Sequence, residues 1–202
     1  TERHLMYALA RRIVQRAGRG SAAIGFLEDA MGVALSPKQR AQLSDIGYPF
    51  YEYDLLGILK SSFLPGIYID ADEECPSLDE IAGLCRDIDA LLCYAYLGDV
   101  TDSVTGDKKA QKFEDDYLDE VMECMAEHGV RGVTYMPTRN TPAQLARIRE
   151  LAERHSFIQV SGEDINSPRQ SFVIRAMDNP SFSNLIESTW KLIDHETKGA
   201  KL

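Results

Sequence analysis

The sequence predicts an α/β fold: a partial (β/α) barrel-like parallel sheet preceded by a helical segment. Three observations predict it. The first ~45 residues place their apolar side chains at helical spacing only, with no run that reads as a strand. From residue 66 onward, short apolar runs alternate with helix-period stretches across short connections, the pattern of parallel β–α units. Each of those runs opens at its C-terminal end into a polar loop, at Asp70, Asp99, Arg139 and Asp164. In α/β architectures such ends face one side, so these loops are expected to converge there. The division is a helical segment over residues 1–65 and an α/β portion over residues 66–202.

Leu5, Met6, Leu9, Ala10, Ile13 and Val14 give a first amphipathic helix over residues 3–17, which Gly18-Arg19-Gly20 stops. Ser21 caps a second helix carrying Ile24, Phe26, Leu27 and Met31, and Ser36-Pro37 starts a third. A fourth runs from Asp54 to Ser62 and breaks at Pro65-Gly66. Gly66 to Asp70 is then expected as a strand entering an acidic loop, Asp70 to Pro76. Ser77 with Glu80 three residues on is a capping box for the next helix.

Ala90 to Tyr96 is the most continuous apolar run and is expected as a strand buried on both faces. A polar loop with Lys108 and Lys109 follows, then a helix from 110 to 128. Gly132 to Met136 is a third strand, and Thr141-Pro142 opens a helix to His155. Phe157 to Ser161 is a fourth strand, and a last helix covers 182–195. Four strands are too few to close a barrel, which takes about eight.

The chain has 202 residues, 44% hydrophobic and 27% charged, which is ordinary for a globular domain. A net charge of −10 disfavours binding to nucleic acid or to an anionic membrane surface and tolerates cations. Cys75, Cys85, Cys93 and Cys124 form no CxxC, which suits a reducing, cytoplasmic compartment better than a disulfide frame. No signal peptide and no long apolar span is visible.

The strand-end loops carry the candidate chemistry. Arg139 is placed to clamp phosphate, or to pair with Glu163 or Asp164. Arg169 carries the same two readings. Asn140 and Asn166 suit phosphate oxygens, an oriented water, or turn formation. Lys108 and Lys109 suit a substrate phosphate or a solvated loop. Glu163 is a candidate ligand or general base, and Asp99 a candidate ligand or turn cap. The carboxylates from Asp70 through Glu74, with Asp99, Glu163 and Asp164, form an oxygen-rich set that favours hard divalent cations.

The Ser161-Gly162-Glu163-Asp164-Ile165-Asn166 loop resembles the last metal-binding motif of the polymerase and histidinol phosphatase (PHP) superfamily, as does the helical preface followed by strands ending in polar loops. That resemblance implies a distorted barrel whose metal cluster hydrolyses phosphate esters. It implies Asp164 as a metal ligand, one or more divalent ions (Mn, Mg or Zn), and a small phosphorylated substrate; Asn166, at the family's histidine position, and Asp99, after Gly98, are the further candidate ligands. Asn166 and Tyr96 stand where the family carries histidines, and there is no His-x-His. The opening at Thr1 and the shortage of strands predict a fragment; the alternative is a branch that lost part of its metal set. A strand edge left open predicts self-association into homo-oligomers. The competing expectation is a non-catalytic α/β module that binds a phosphorylated or anionic metabolite through Arg139, Arg169 and the lysines.

Overall fold

The apolar spacing of the first residues folds as a helix whose one stripe is buried. α1 (Glu2–Ala17) turns Met6, Ala10 and Ile13 inward. The computed structural model describes residues 2–69, 74–99, 112, 114–165 and 167–199. The described chain divides into two units, one of residues 2–69 and 167–170, the other of the remainder.

In the helical unit, α2 (Ser21–Gly25) passes into a π-helical turn, Phe26–Ala30. α3 (Pro37–Ser44) begins at a reciprocal capping box: the Ser36 hydroxyl accepts from Gln39 N, and Gln39 accepts from Ser36 N. α4 (Tyr51–Ile58) continues through a second π-helical turn, Leu59–Phe63. Met6, Leu27, Leu43, Tyr51, Leu55 and Leu59 meet in one core. Buried apolar stripes of this kind, rather than helix propensity, hold short helices together. Gly20 sits at φ 69°, where L side chains are strained, and its N–H donates to the Tyr51 hydroxyl at 3.0 Å.

The strand expected at 66–70 is not formed in its described part. Leu64–Gly66 is a 3₁₀ turn, and Ile67, Tyr68 and Ile69 are exposed without a ladder partner. An apolar run becomes a strand only where a neighbour takes up its N–H and C=O groups. Asp70, Asp72 and Glu73 lie outside the described residues.

The other unit is built on a parallel sheet in the order β1 (Cys93–Ala95), β2 (Gly132–Tyr135), β3 (Ile158–Ser161). Cys93 pairs with Gly132, and Gly132 with Ile158. A side chain at 132 would put its Cβ 2.5 Å from the Cys93 sulfur, so this close pairing needs glycine. Central β2 buries Val133 and Tyr135 fully; β1, at the edge, leaves Ala95 exposed. The expectation of a long β1 buried on both faces therefore gives way to three residues of edge strand.

α5 (Leu78–Asp87) opens on the Ser77–Glu80 capping box. α6 (Leu118–Glu127), α7 (Pro142–Arg154) and α8 (Ser183–Lys198) supply Met122, Ile148, Leu151 and Leu185 to a core with Val133 and Tyr135. α6 starts eight residues later than the sequence predicts, after a 3₁₀ turn at Asp115–Tyr117. The side chains of Glu114 and Asp115 are engaged by a distant loop, which sets the chain path there.

Candidate functional site

Two of the polar side chains expected at the strand ends, Arg139 and Asn140, reach one peptide segment, Leu97-Gly98-Asp99, which follows β1. Gly98 has φ 70°, and a Cβ there would lie 2.8 Å from both the Asn140 and the Gln144 side-chain amides. Glycine is thus required on conformational and steric grounds.

From the end of β2, a turn closed by the Arg139 and Asn140 N–H groups on the Met136 carbonyl aims two side chains back at this segment. The Leu97 carbonyl accepts from Arg139 Nε at 3.1 Å and from Asn140 Nδ2 at 2.9 Å. Asn140 Oδ1 in turn accepts from Met136 N at 2.9 Å, so this buried amide is held at both ends. Thr141 caps α7 with Gln144 in a third reciprocal box. The Gln144 Nε2 then reaches the Asp99 carbonyl at 3.0 Å and Asp115 at 2.7 Å.

The N–H side of the same segment faces carboxylates. Leu97 N and Gly98 N both donate to Glu114 Oε1 at 2.8 Å, and Asp99 N donates to Asp115 Oδ2 at 3.2 Å. Asp99 Oδ1 accepts in return from Glu114 N at 3.2 Å, and the Tyr96 hydroxyl donates to Asp115 Oδ1 at 2.6 Å. Burial pushes the Glu114 carboxyl pKa up, opposed by the two N–H bonds and by the Arg139 guanidinium. Burial and the bond to Asp115 likewise raise the Tyr96 phenol.

Three buried side-chain atoms lack a hydrogen-bond partner among the described residues, the Tyr48 hydroxyl, Asn184 Oδ1 and Arg139 Nη2, and of these Arg139 is the one bonded to this segment. Its Nη2 is sealed from solvent and has no hydrogen-bond partner among the described residues. Guanidinium nitrogens in a protein interior are almost always paired.

From the end of β3, Glu163 turns toward the β2 loop. Thr138 N donates to its Oε1 at 2.7 Å, and the Thr138 hydroxyl to its Oε2 at 2.5 Å. The preceding Gly162 lies against Thr134, where a Cβ would come within 3.1 Å of the hydroxyl. Asp164 is exposed. Arg139, Asn140 and Asp99 therefore meet at Leu97–Asp99, while Glu163 is held on the adjoining β2 loop. Arg169 belongs to the helical unit, where its Nε and Nη2 bond Asp54 at 2.8 and 2.6 Å and its guanidinium lies 4.0 Å above the Tyr48 ring. Lys108, Lys109 and Asn166 lie outside the described residues.

Glu114, Asp115 and Gln144 complete the site without having been singled out by sequence. The available signal is a carboxylate run, Glu114-Asp115-Asp116, placed just before the apolar period of α6 begins at Leu118. As a metal shell, the described residues do not fit: no three His, Cys, Asp or Glu side chains are arranged to hold an ion. Among the described residues no helix is long and apolar enough to cross a membrane. No protein family, no curated protein and no solved structure matches the chain.

Proposed function

We propose that this chain binds a phosphorylated small molecule at the C-terminal ends of its parallel strands, with Arg139 taking the phosphate. The sealed Nη2 of Arg139, unpaired among the described residues, carries this reading. Its Nε is already held by the Leu97 carbonyl, so the guanidinium is oriented before any ligand arrives. Guanidinium suits the geometry and charge of a phosphate oxygen better than any other side chain. Asn140, fixed beside it, maintains the Leu97 carbonyl that orients the clamp. The test is calorimetric titration of the chain with inorganic phosphate and phosphomonoesters, beside Arg139→Ala.

A second reading is favoured by the Gly162-Glu163-Asp164 segment lying immediately after β3. On it the chain is a PHP-type phosphoesterase, or part of one, with barrel-like β–α units, and hydrolyses the ester it binds. The order β1-β2-β3 supports this, since successive right-handed crossovers in that order put their helices on one face, as in a barrel. Asp99 and Asp164, with Asn166, are the proposed contributors to a divalent metal site (Mn, Mg or Zn). The described residues make no metal shell by themselves. Elemental analysis of the purified chain, with an Asp164→Ala variant, tests this reading. A reducing cytoplasmic setting belongs to the same proposal, supported by four free cysteines.

A further inference from the structure

We propose that the successive N–H groups of Leu97, Gly98 and Asp99 form an oxyanion-binding nest beside Arg139, and that Glu114 occupies it as an intramolecular substitute for a phosphate group. The proposal rests on the phosphate-binding reading and specifies how the ligand enters: by displacing the Glu114 carboxylate.

Two adjacent backbone N–H groups converging on a single oxygen is the arrangement by which a peptide chain binds anions. Leu97 N and Gly98 N both reach Glu114 Oε1 at 2.8 Å, and Gly98, at φ 70°, turns the chain so that they do. The third N–H, of Asp99, reaches the neighbouring Asp115 at 3.2 Å. The nest therefore holds a carboxylate in the structure as it stands, which shows the class of group that it accepts.

The occupant is poorly suited to stay. Glu114 is 7% exposed, and its carboxylate has given up hydration for two N–H bonds and the charge of the nearby Arg139 guanidinium. Asp115 lies against the same segment and repels it. A phosphate group brings more oxygens than a carboxylate has. One can replace Glu114 Oε1 on Leu97 N and Gly98 N while another meets Arg139 Nη2, which is unpaired among the described residues. The carboxylate thus fills the N–H half of the nest and leaves the guanidinium half unsatisfied, so a larger oxyanion gains what Glu114 cannot supply. Released, Glu114 returns to water, where its charge is better solvated.

The experiment is a titration with inorganic phosphate of three proteins, wild type, Glu114→Gln and Glu114→Ala, with affinity by calorimetry and backbone amides by ¹⁵N–¹H NMR. Gln keeps the volume and a weaker acceptor; Ala empties the nest. The expected order of affinity is wild type weakest, then Gln, then Ala, with about tenfold between the ends, as for one charge-assisted contact. In wild type, where folding is not in question, the Leu97 and Gly98 amides should move with phosphate. Phosphate that binds wild type through Arg139, with those two amides unmoved or with no gain in either variant, would overturn the nest and leave the phosphate site standing. No binding to any of the three proteins would overturn both.

Discussion

The Leu97 carbonyl oxygen and Arg139 Nε are 3.1 Å apart, although 42 residues of chain separate them. The bond ties the end of β1 to the turn after β2. It fixes one edge of a guanidinium whose Nη2 has no hydrogen-bond partner among the described residues.

Gly98 makes that relationship possible, so Gly98→Ala should damage both fold and site. The substitution forces a β-carbon into a φ 70° residue and to within 2.8 Å of two amides. We expect a loss of about 1–3 kcal/mol in urea unfolding and weakened phosphate binding. Unchanged stability would show that the segment relaxes without cost.

Tyr96→Phe removes a buried hydroxyl that donates to Asp115 at 2.6 Å. The carboxylate keeps Asp99 N and Gln144 Nε2 as donors. The expected cost is therefore modest, about 1–2 kcal/mol, read from the unfolding midpoint at constant m-value. A loss beyond twice that would mean that Tyr96 organises more than Asp115.

Glu114 gives a pH dependence whose sign follows from its environment. Burial raises its pKa in the fold above the ordinary 4.5. A raised pKa contributes stability that is present below the unfolded value and is lost as pH rises through the folded one. Wild type should therefore lose stability relative to Glu114→Gln as pH rises above the ordinary 4.5. Unfolding midpoints at several pH values read the difference directly, and a pH-independent gap would contradict it.

In the helical unit, Asp54 has a side chain only 5% exposed and is bonded by Arg169. Asp54→Ala should cost about 2 kcal/mol and release the guanidinium from the Tyr48 ring. Differential scanning calorimetry checks the first effect, and protection of the Ser167, Arg169 and Gln170 amides from exchange checks the second. Arg169→Lys should rescue poorly, because an ammonium cannot make the paired contact.

What was legible in the sequence is what local chemistry fixes. Ser36, Ser77 and Thr141 each precede a helix, with Gln or Glu three residues on, and all three form the box. The runs at 132–135 and 158–161 pair as parallel strands because each has a neighbour. Ile67 to Ile69 has the same composition and none, so it stays out of the sheet. Arg139 and Asn140 stood out because a strand end followed by a helix cap points side chains at the loops beside it. Glu114 did not, since the N–H groups it serves lie 16 and 17 residues away. Nor could spacing reveal that Arg169 answers Asp54, 115 residues earlier.

The central claim is that Arg139 receives a phosphate group, and calorimetric titration with inorganic phosphate of wild type against Arg139→Ala tests it most directly. We predict saturable binding to wild type that falls at least about tenfold in the variant, the loss of one charge-assisted pair, with the circular dichroism spectrum unchanged. Equal affinity in the two proteins, or no binding by folded wild type, would contradict the claim.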